Sequence, residues 1–274
     1  MNKIIHISCF LFVLMPAIAQ KGMDGLIRAE NNFAAYSVSH STKEAFLEYI
    51  DSNSIMFDSS RAIKAIDFWN KRKKSAGVLN WHPQYAEISA SGDFGFTTGP
   101  WTFRPTANDT VVAAGRYITV WHLNKELKWK FLADLGVDNI PVHGPEKNID
   151  INAAQYSVNY RTIASIPPLA GTENDFIQLY KESQSKAYKK YLSGASILNR
   201  NGFAPAVNNA DQQLIINSTP PAAEYKLDGW GISTVPDMGY TYGTAVINGK
   251  AENYLRIWRM EKEGWKIALE VLRY

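Results

Sequence analysis

Apolar residues at Leu26, Ala29, Phe33 and Tyr36 fall three or four apart, the stripe of one helix face. "STKE" (Ser41 to Glu44) then has the form of a capping box, in which Ser41 accepts from the Glu44 amide and Glu44 reaches back to the Ser41 amide. "TKEAFLEYI" continues as helix, "SIMFDSS" reads as the turn that ends a helical region, and a third helix is predicted over about Ser60 to Lys74. After Gly77 the spacing changes. "LNWHPQYAEIS", "DFGFTTGPWTF", "TVVAAGRYITVW" and "KWKFLADLGV" are rich in aromatic and β-branched residues and are separated by turn residues, which predicts antiparallel strands. The order then recurs, with helix over about Glu173 to Leu192 and strands from about Glu224.

The recurrence extends to residues. "AENNF" (Ala29 to Phe33) matches "TENDF" (Thr172 to Phe176), and "GDFGFTTG" (Gly92 to Gly99) matches "PDMGYTYG" (Pro236 to Gly243). "YITVW" (Tyr117 to Trp121) matches "YLRIW" (Tyr254 to Trp258), and "WKFLAD" (Trp129 to Asp134) matches "WKIALE" (Trp265 to Glu270). The matched segments lie 143, 144, 137 and 136 positions apart and in one order. The fall from 144 to 137 is a loop deletion, "RPTANDTVVAAG" against "INGKA". A period this long excludes a solenoid and predicts a duplicated domain. Helices followed by a run of strands make each copy α+β.

The N-terminus predicts a different role. Lys3, an apolar run from Ile4 to Met15 and Ala17-Ile18-Ala19 form an export signal, with cleavage expected before Gln20. The run is shorter than the roughly 20 residues a membrane span needs, and no later apolar run is long enough to span a membrane. Four segments follow: a signal peptide over 1–19, a first domain over 22–144, a linker or extension over 145–168, and a second domain over 169–274. The expected location is periplasmic or extracellular.

Composition narrows the chemistry. The single cysteine, Cys9, lies in the signal, so the mature chain has no thiolate nucleophile, disulfide or cysteine-held metal. The net charge of +3 is spread among intermixed acids and bases and does not predict a nucleic-acid partner. "KRKK" (Lys71 to Lys74) suits the carbonyl end of a helix. The five histidines (His6, His40, His82, His122 and His143) show no metal-ligand spacing. No G-x-S-x-G elbow is present, and "GFTTG" lacks the lysine of a phosphate loop; its glycines suit a sharply curved sheet. No motif calls for a cofactor.

"LNWHPQYAEISASGDFGFTTGPW", "GRYITVWH" and "WKFLADLG" resemble the motifs of the NTF2-like superfamily, particularly its SnoaL-like and DUF4440 branch. Copy one resembles it over most of its length, and copy two at its first helix and last three strands. The resemblance implies two tandem cones, each a curved antiparallel sheet wrapped around N-terminal helices with a pocket at the open end. Members include ketosteroid isomerase, scytalone dehydratase, polyketide cyclases and many binding domains, so the fold does not decide the activity.

Acid–base candidates are Asp58, His82, Arg116, Tyr117, Asp134 and Glu270, although a turn or helix N-terminus better explains Asp58, a solvated or capping role at a strand start better explains His82, and packing explains Tyr117. If Trp121 and Trp129 face each other across their hairpin, Arg116 faces Asp134; pairing Trp258 with Trp265 sets Asn253 against Glu270. Arg116, Asp134, Asn253 and Glu270 are therefore the expected ligand-binding residues, in two aliphatic cone interiors. The outer faces, carrying Tyr117, Trp121, Trp129 and their matches Tyr254, Trp258 and Trp265, would join the copies as an internal pseudo-dimer. The expected function is binding of a small apolar or amphipathic molecule, with a cofactor-free lyase, isomerase or hydrolase as the alternative.

Overall fold

In the computed structural model of the chain the described residues are 21–138 and 167–274. The signal, the boundary near Pro145 and nearly all of the linker lie outside them. The described residues form an α+β structure with two curved sheets.

The first unit opens with helices α1 (Met23–Ser39) and α2 (Thr42–Tyr49). Ser41 caps α2 by accepting from Glu44 N at 3.2 Å, as the capping box predicts. The return contact differs: Glu44 Oε2 takes the Ser41 hydroxyl at 2.7 Å instead of the Ser41 amide. Strands β1 (Ile50–Asp58) and β2 (Arg61–Lys64) follow, then a short helix α3 (Ala65–Lys71). "SIMFD" is thus strand rather than turn, and the third helix starts five residues later than its pattern suggests, because β1 pairs in parallel with the last strand of the unit and β2 hairpins onto it. Strands β3 (Val78–Trp81), β4 (Tyr85–Ile88), β5 (Phe94–Arg104), β6 (Ala113–Leu123) and β7 (Trp129–Asp138) complete a sheet in the order β2-β1-β7-β6-β5-β3, with β4 also on β5. The "GFTTG" glycines sit where backbones crowd: a Cβ at Gly99 would collide with His82 O.

The second unit has helices α4 (Leu169–Glu182) and α5 (Gln184–Tyr191), strand β8 (Leu192–Arg200), helix α6 (Asn209–Ser218), and strands β9 (Glu224–Ile232), β10 (Met238–Ile247), β11 (Lys250–Glu261) and β12 (Gly264–Leu272). Its sheet order is β8-β12-β11-β10-β9, again with the first strand parallel to the last.

The faces are the reverse of the sequence expectation. Tyr117, Trp121 and Trp129 turn inward, where they form a core with Leu26, Phe33 and Phe46 of the helices. Tyr254, Trp258 and Trp265 do the same against Phe176 and Tyr180. The aliphatic face is the one that packs sheet on sheet: Ile118, Val120, Leu135 and Val137 share a cluster with Leu255, Ile257, Leu269 and Val271. Flat aliphatic side chains suit a sheet-to-sheet layer, whereas wide rings fill the deeper space between helix and curved sheet. Polar contacts also cross between the units. Arg259 pairs with Glu87 at 2.5 Å, and Asp237 Oδ2 accepts from Ala90 N at 2.6 Å.

Candidate functional site

A bulge builds the site. Val120 pairs with Ala133 and Trp121 with Phe131, so Leu132 is an extra residue in β7. One inserted residue exchanges the faces beyond it. Phe131 therefore points to the helices, Ala133 and Leu135 point to the other sheet, and Asp134, Gly136 and Asp138 return to the inner side. Arg116 consequently pairs with Val137 and Asp134 with Thr119, which corrects the expected Arg116–Asp134 pairing. Arg116 shares the sheet-to-sheet side with Ile118 and donates through Nη2 to Gln84 Oε1 at 2.6 Å.

On the inner side lies a cavity of about 280 Å³. Phe46, Leu79, Trp81, Trp101 and Tyr117 form its apolar and aromatic walls, and Asp134, Gly136 and Asp138 its strand floor. Arg273, from the C-terminal end of the second unit, also lines it and donates through Nε to Gly136 O at 2.7 Å. Asp134 Oδ2 accepts from Thr119 Oγ1 at 2.7 Å. Burial raises the Asp134 carboxyl to about 6, against the opposing pull of Thr119 and Arg273. The Tyr117 side chain is 5 % exposed and its hydroxyl finds no hydrogen-bond partner among the described residues. Burial, with Glu30 and Asp134 nearby, pushes its pKa well above the ordinary value; Thr97 tempers the shift, but Thr97 Oγ1 gives its own proton to Glu30.

Glu30 is the residue that sequence reasoning missed. It is fully buried on α1 and accepts from Trp81 Nε1 at 2.5 Å, Trp121 Nε1 at 2.8 Å and Thr97 Oγ1. Burial raises its carboxyl to about 7 despite those donors. Its match, Glu173, accepts from Thr241 Oγ1 at 2.7 Å and Trp258 Nε1 at 3.1 Å, so the same Glu–Thr–Trp set stands in both units. The signal was available: both glutamates sit beside an apolar helix stripe, inside "AENNF" and "TENDF".

The second unit fills the matched space. Arg256 stands at the position matched to Thr119, with its guanidinium over the rings of Phe176, Tyr225 and Tyr254 at 4.3, 4.5 and 4.4 Å. Its Nη1 meets Glu173 and its Nε meets Glu270, each at 2.5 Å, while Arg200 and the Tyr188 hydroxyl reach the other Glu270 oxygen. Burial opposes ionisation of Glu270, but Arg256 and Arg200 outweigh it and hold the carboxyl at about 2. Ala268 is bulged as Leu132 is, so Glu270 pairs with Arg256 rather than with Asn253. Asn253 is buried and donates to Gly243 O at 3.4 Å. Of the four expected ligand residues, the structure places Asp134 at the cavity; Arg116, Asn253 and Glu270 are absent from its lining. Among the described residues no helix is long and apolar enough to cross a membrane, and no cluster of acids and histidines could hold a metal.

No protein-family model matches the chain, and no curated protein matches it. Solved structures are similar to part of it. An NTF2-like protein of unknown function from Shewanella oneidensis is 9% identical, covering 38% of this chain and 98% of that one at a TM-score of 0.32. An NTF2-like protein of unknown function from Cytophaga hutchinsonii is 13% identical, covering 40% and 92% at 0.31. A ketosteroid isomerase-like protein from Erwinia carotovora atroseptica is 14% identical, covering 38% and 92% at 0.32.

Proposed function

We propose that the chain is an exported tandem of two NTF2-like units of the SnoaL-like kind, packed as an internal pseudo-dimer, and that the first unit binds a small amphipathic molecule in its cavity. The observation that carries the binding role is the Tyr117 hydroxyl, buried and unpartnered at the wall of an aromatic cavity. A buried polar group without a partner costs roughly 1–3 kcal/mol, and a ligand atom that bonds to it offsets that cost. Aromatic walls with a few convergent polar groups are the usual form of a small-molecule site. Mass spectrometry of small molecules extracted from the purified full chain tests the proposal. A retained compound that raises the melting temperature is the expected result; an empty extract, with no thermal shift across a broad compound panel, would sink it. Export is tested by sequencing the N-terminus of the chain recovered outside the cytoplasm, where Gln20 should come first.

One observation favours acid–base chemistry as a second reading. Asp134, held near 6, is largely ionised at neutrality and shares the cavity with Tyr117. Its carboxylate would take a proton from carbon while the phenol donates to the oxygen on which charge develops. Exchange of the α-protons of a bound cyclic ketone into heavy water, absent in Asp134→Asn, is the expected sign. Equal exchange in both proteins removes this reading.

A further inference from the structure

The second unit has an arginine built among three rings and two carboxylates, and the first has rings and carboxylates at the matched positions with no arginine at the matched place. Arg256 lies among Phe176, Tyr225 and Tyr254 and between Glu173 and Glu270. The matched positions in the first unit are Phe33, Trp81 and Tyr117 for the rings and Glu30 and Asp134 for the carboxylates. Trp81 also pairs with Trp101 on β5 as Tyr225 pairs with Ala245 on β10, so the strand registers agree with that match. Where Arg256 stands, the first unit has Thr119, a side chain too short to fill the space. Of the matched groups, Asp134, Trp81 and Tyr117 line the cavity, while Glu30 is already taken by Trp81, Trp121 and Thr97.

We propose that the first cavity takes a small organic cation, an ammonium or guanidinium group on an apolar body, which occupies the place that Arg256 occupies in the second unit. The proposal rests on the cavity being a binding site and specifies the class of its ligand. Three features agree with it. Ring faces attract a cation, most strongly in a desolvated site. Asp134 Oδ2 is taken by Thr119, while Oδ1 accepts from no side chain among the described residues. The buried Tyr117 hydroxyl can accept from an ammonium N–H. Charge at the mouth agrees as well. Asp58, Asp134, Asp138 and Glu252 all act on Arg273, the one cation among the described lining residues, and Arg273 already spends Nε on Gly136 O.

The groups that face Asp134 are Glu30 from α1, Thr119 and Tyr117 from β6, Asp138 on its own strand and Arg273 from the C-terminus. A bound cation favours the ionised carboxylate, so binding should weaken as pH falls through about 6.

The experiment is an NMR titration of the full chain with three probes of like shape: 3-phenylpropan-1-ammonium, 3-phenylpropan-1-ol and 3-phenylpropanoate. Near neutral pH the amine should bind at least about tenfold more tightly than the alcohol. That preference should disappear at about pH 5 and in Asp134→Asn. Thr119→Arg, which supplies the first unit with its own guanidinium, should abolish binding of all three probes while the protein stays folded. Alcohol binding equal to amine binding, or a carboxylate preference directed by Arg273, overturns the cation and leaves the cavity as a binding site. If none of the three probes shifts cavity resonances at millimolar concentration, the binding-site reading falls with it.

Discussion

Asp134 and Glu270 occupy matched positions but should respond in opposite ways to the loss of their charge. Glu270 has no exposed surface and is held at about 2 between Arg256 and Arg200, against an ordinary 4.5. That difference corresponds to about 3 kcal/mol of stability, within the range of roughly 3–5 kcal/mol found for breaking a buried pair. The depressed carboxyl contributes fully above pH 4.5, and the contribution fades as pH falls toward 2. Asp134 is raised from 3.8 to about 6, so its native state holds the proton more tightly than the unfolded chain. Its ionisation therefore removes stability as pH rises from 3.8 to about 6. Because Asp134 lies at a cavity wall and is partly exposed, the loss is about 1–2 kcal/mol rather than the full conversion. Glu270→Gln should accordingly lower the urea midpoint near neutral pH by the equivalent of about 3 kcal/mol, with the gap from wild type closing below pH 4.5. Asp134→Asn should raise the midpoint near neutral pH, with the gain gone below pH 3.8. Urea unfolding followed by tryptophan fluorescence at several pH values measures both. A Glu270→Gln cost that does not vary with pH, or an Asp134→Asn variant less stable than wild type near neutrality, would refute the charge assignments.

Tyr117→Phe should leave stability unchanged or raise it by up to about 1 kcal/mol, because it deletes an unpartnered hydroxyl, while weakening any bound ligand; paired thermal melts with and without ligand check this. Gly115→Ala places a Cβ against Val137 O and the Trp101 ring, neither of which can yield without moving the sheet, so it should cost more than about 3 kcal/mol in a denaturant titration. Arg259→Met leaves Glu87 buried without its cross-unit partner and should cost about 3–5 kcal/mol. Hydrogen exchange on that variant should quicken first in β4 and β11, the strands that carry the pair.

The alternation of the chain and its internal matches were enough to place most elements, because helix stripes and strands repeat in both halves at the same offsets. Strands β1 and β2 escaped for a tertiary reason. "SIMFD" becomes strand by pairing in parallel with β7, where Ile55 meets Ala133, a partner far along the chain that local periodicity cannot show. The site was half legible. Asp134 was identified as a candidate, but through a hairpin register that assumed no bulge. Phe131-Leu132-Ala133 and Ile267-Ala268-Leu269 are each three apolar residues in a row, which strict alternation forbids, and both mark the inserted residue. Face assignment failed because aromatic strand residues suit a protein interface and the inside of a deep cone equally well. Only the helix residues they meet, Phe33 and Phe46 in one unit and Phe176 in the other, decide between the two.

The contrast between the interiors suggests how the labour is divided along the chain. Filling the second cone with Arg256, Arg200, Glu173 and Glu270 satisfies its carboxylates internally, although the buried Tyr225 and Tyr254 hydroxyls there also lack a hydrogen-bond partner among the described residues. The first cone keeps an unpartnered phenol and a carboxyl raised by burial, both of which cost stability unless something binds. A lone unit with such an interior would be marginal. Here its aliphatic sheet face is covered by the second unit, and Arg259 and Arg273 extend from that unit to Glu87 and Gly136 of the first. The closed cone thus supports the open one, and Arg273 makes that support part of the cavity wall, so loosening the contact between the sheets should be felt first at the site.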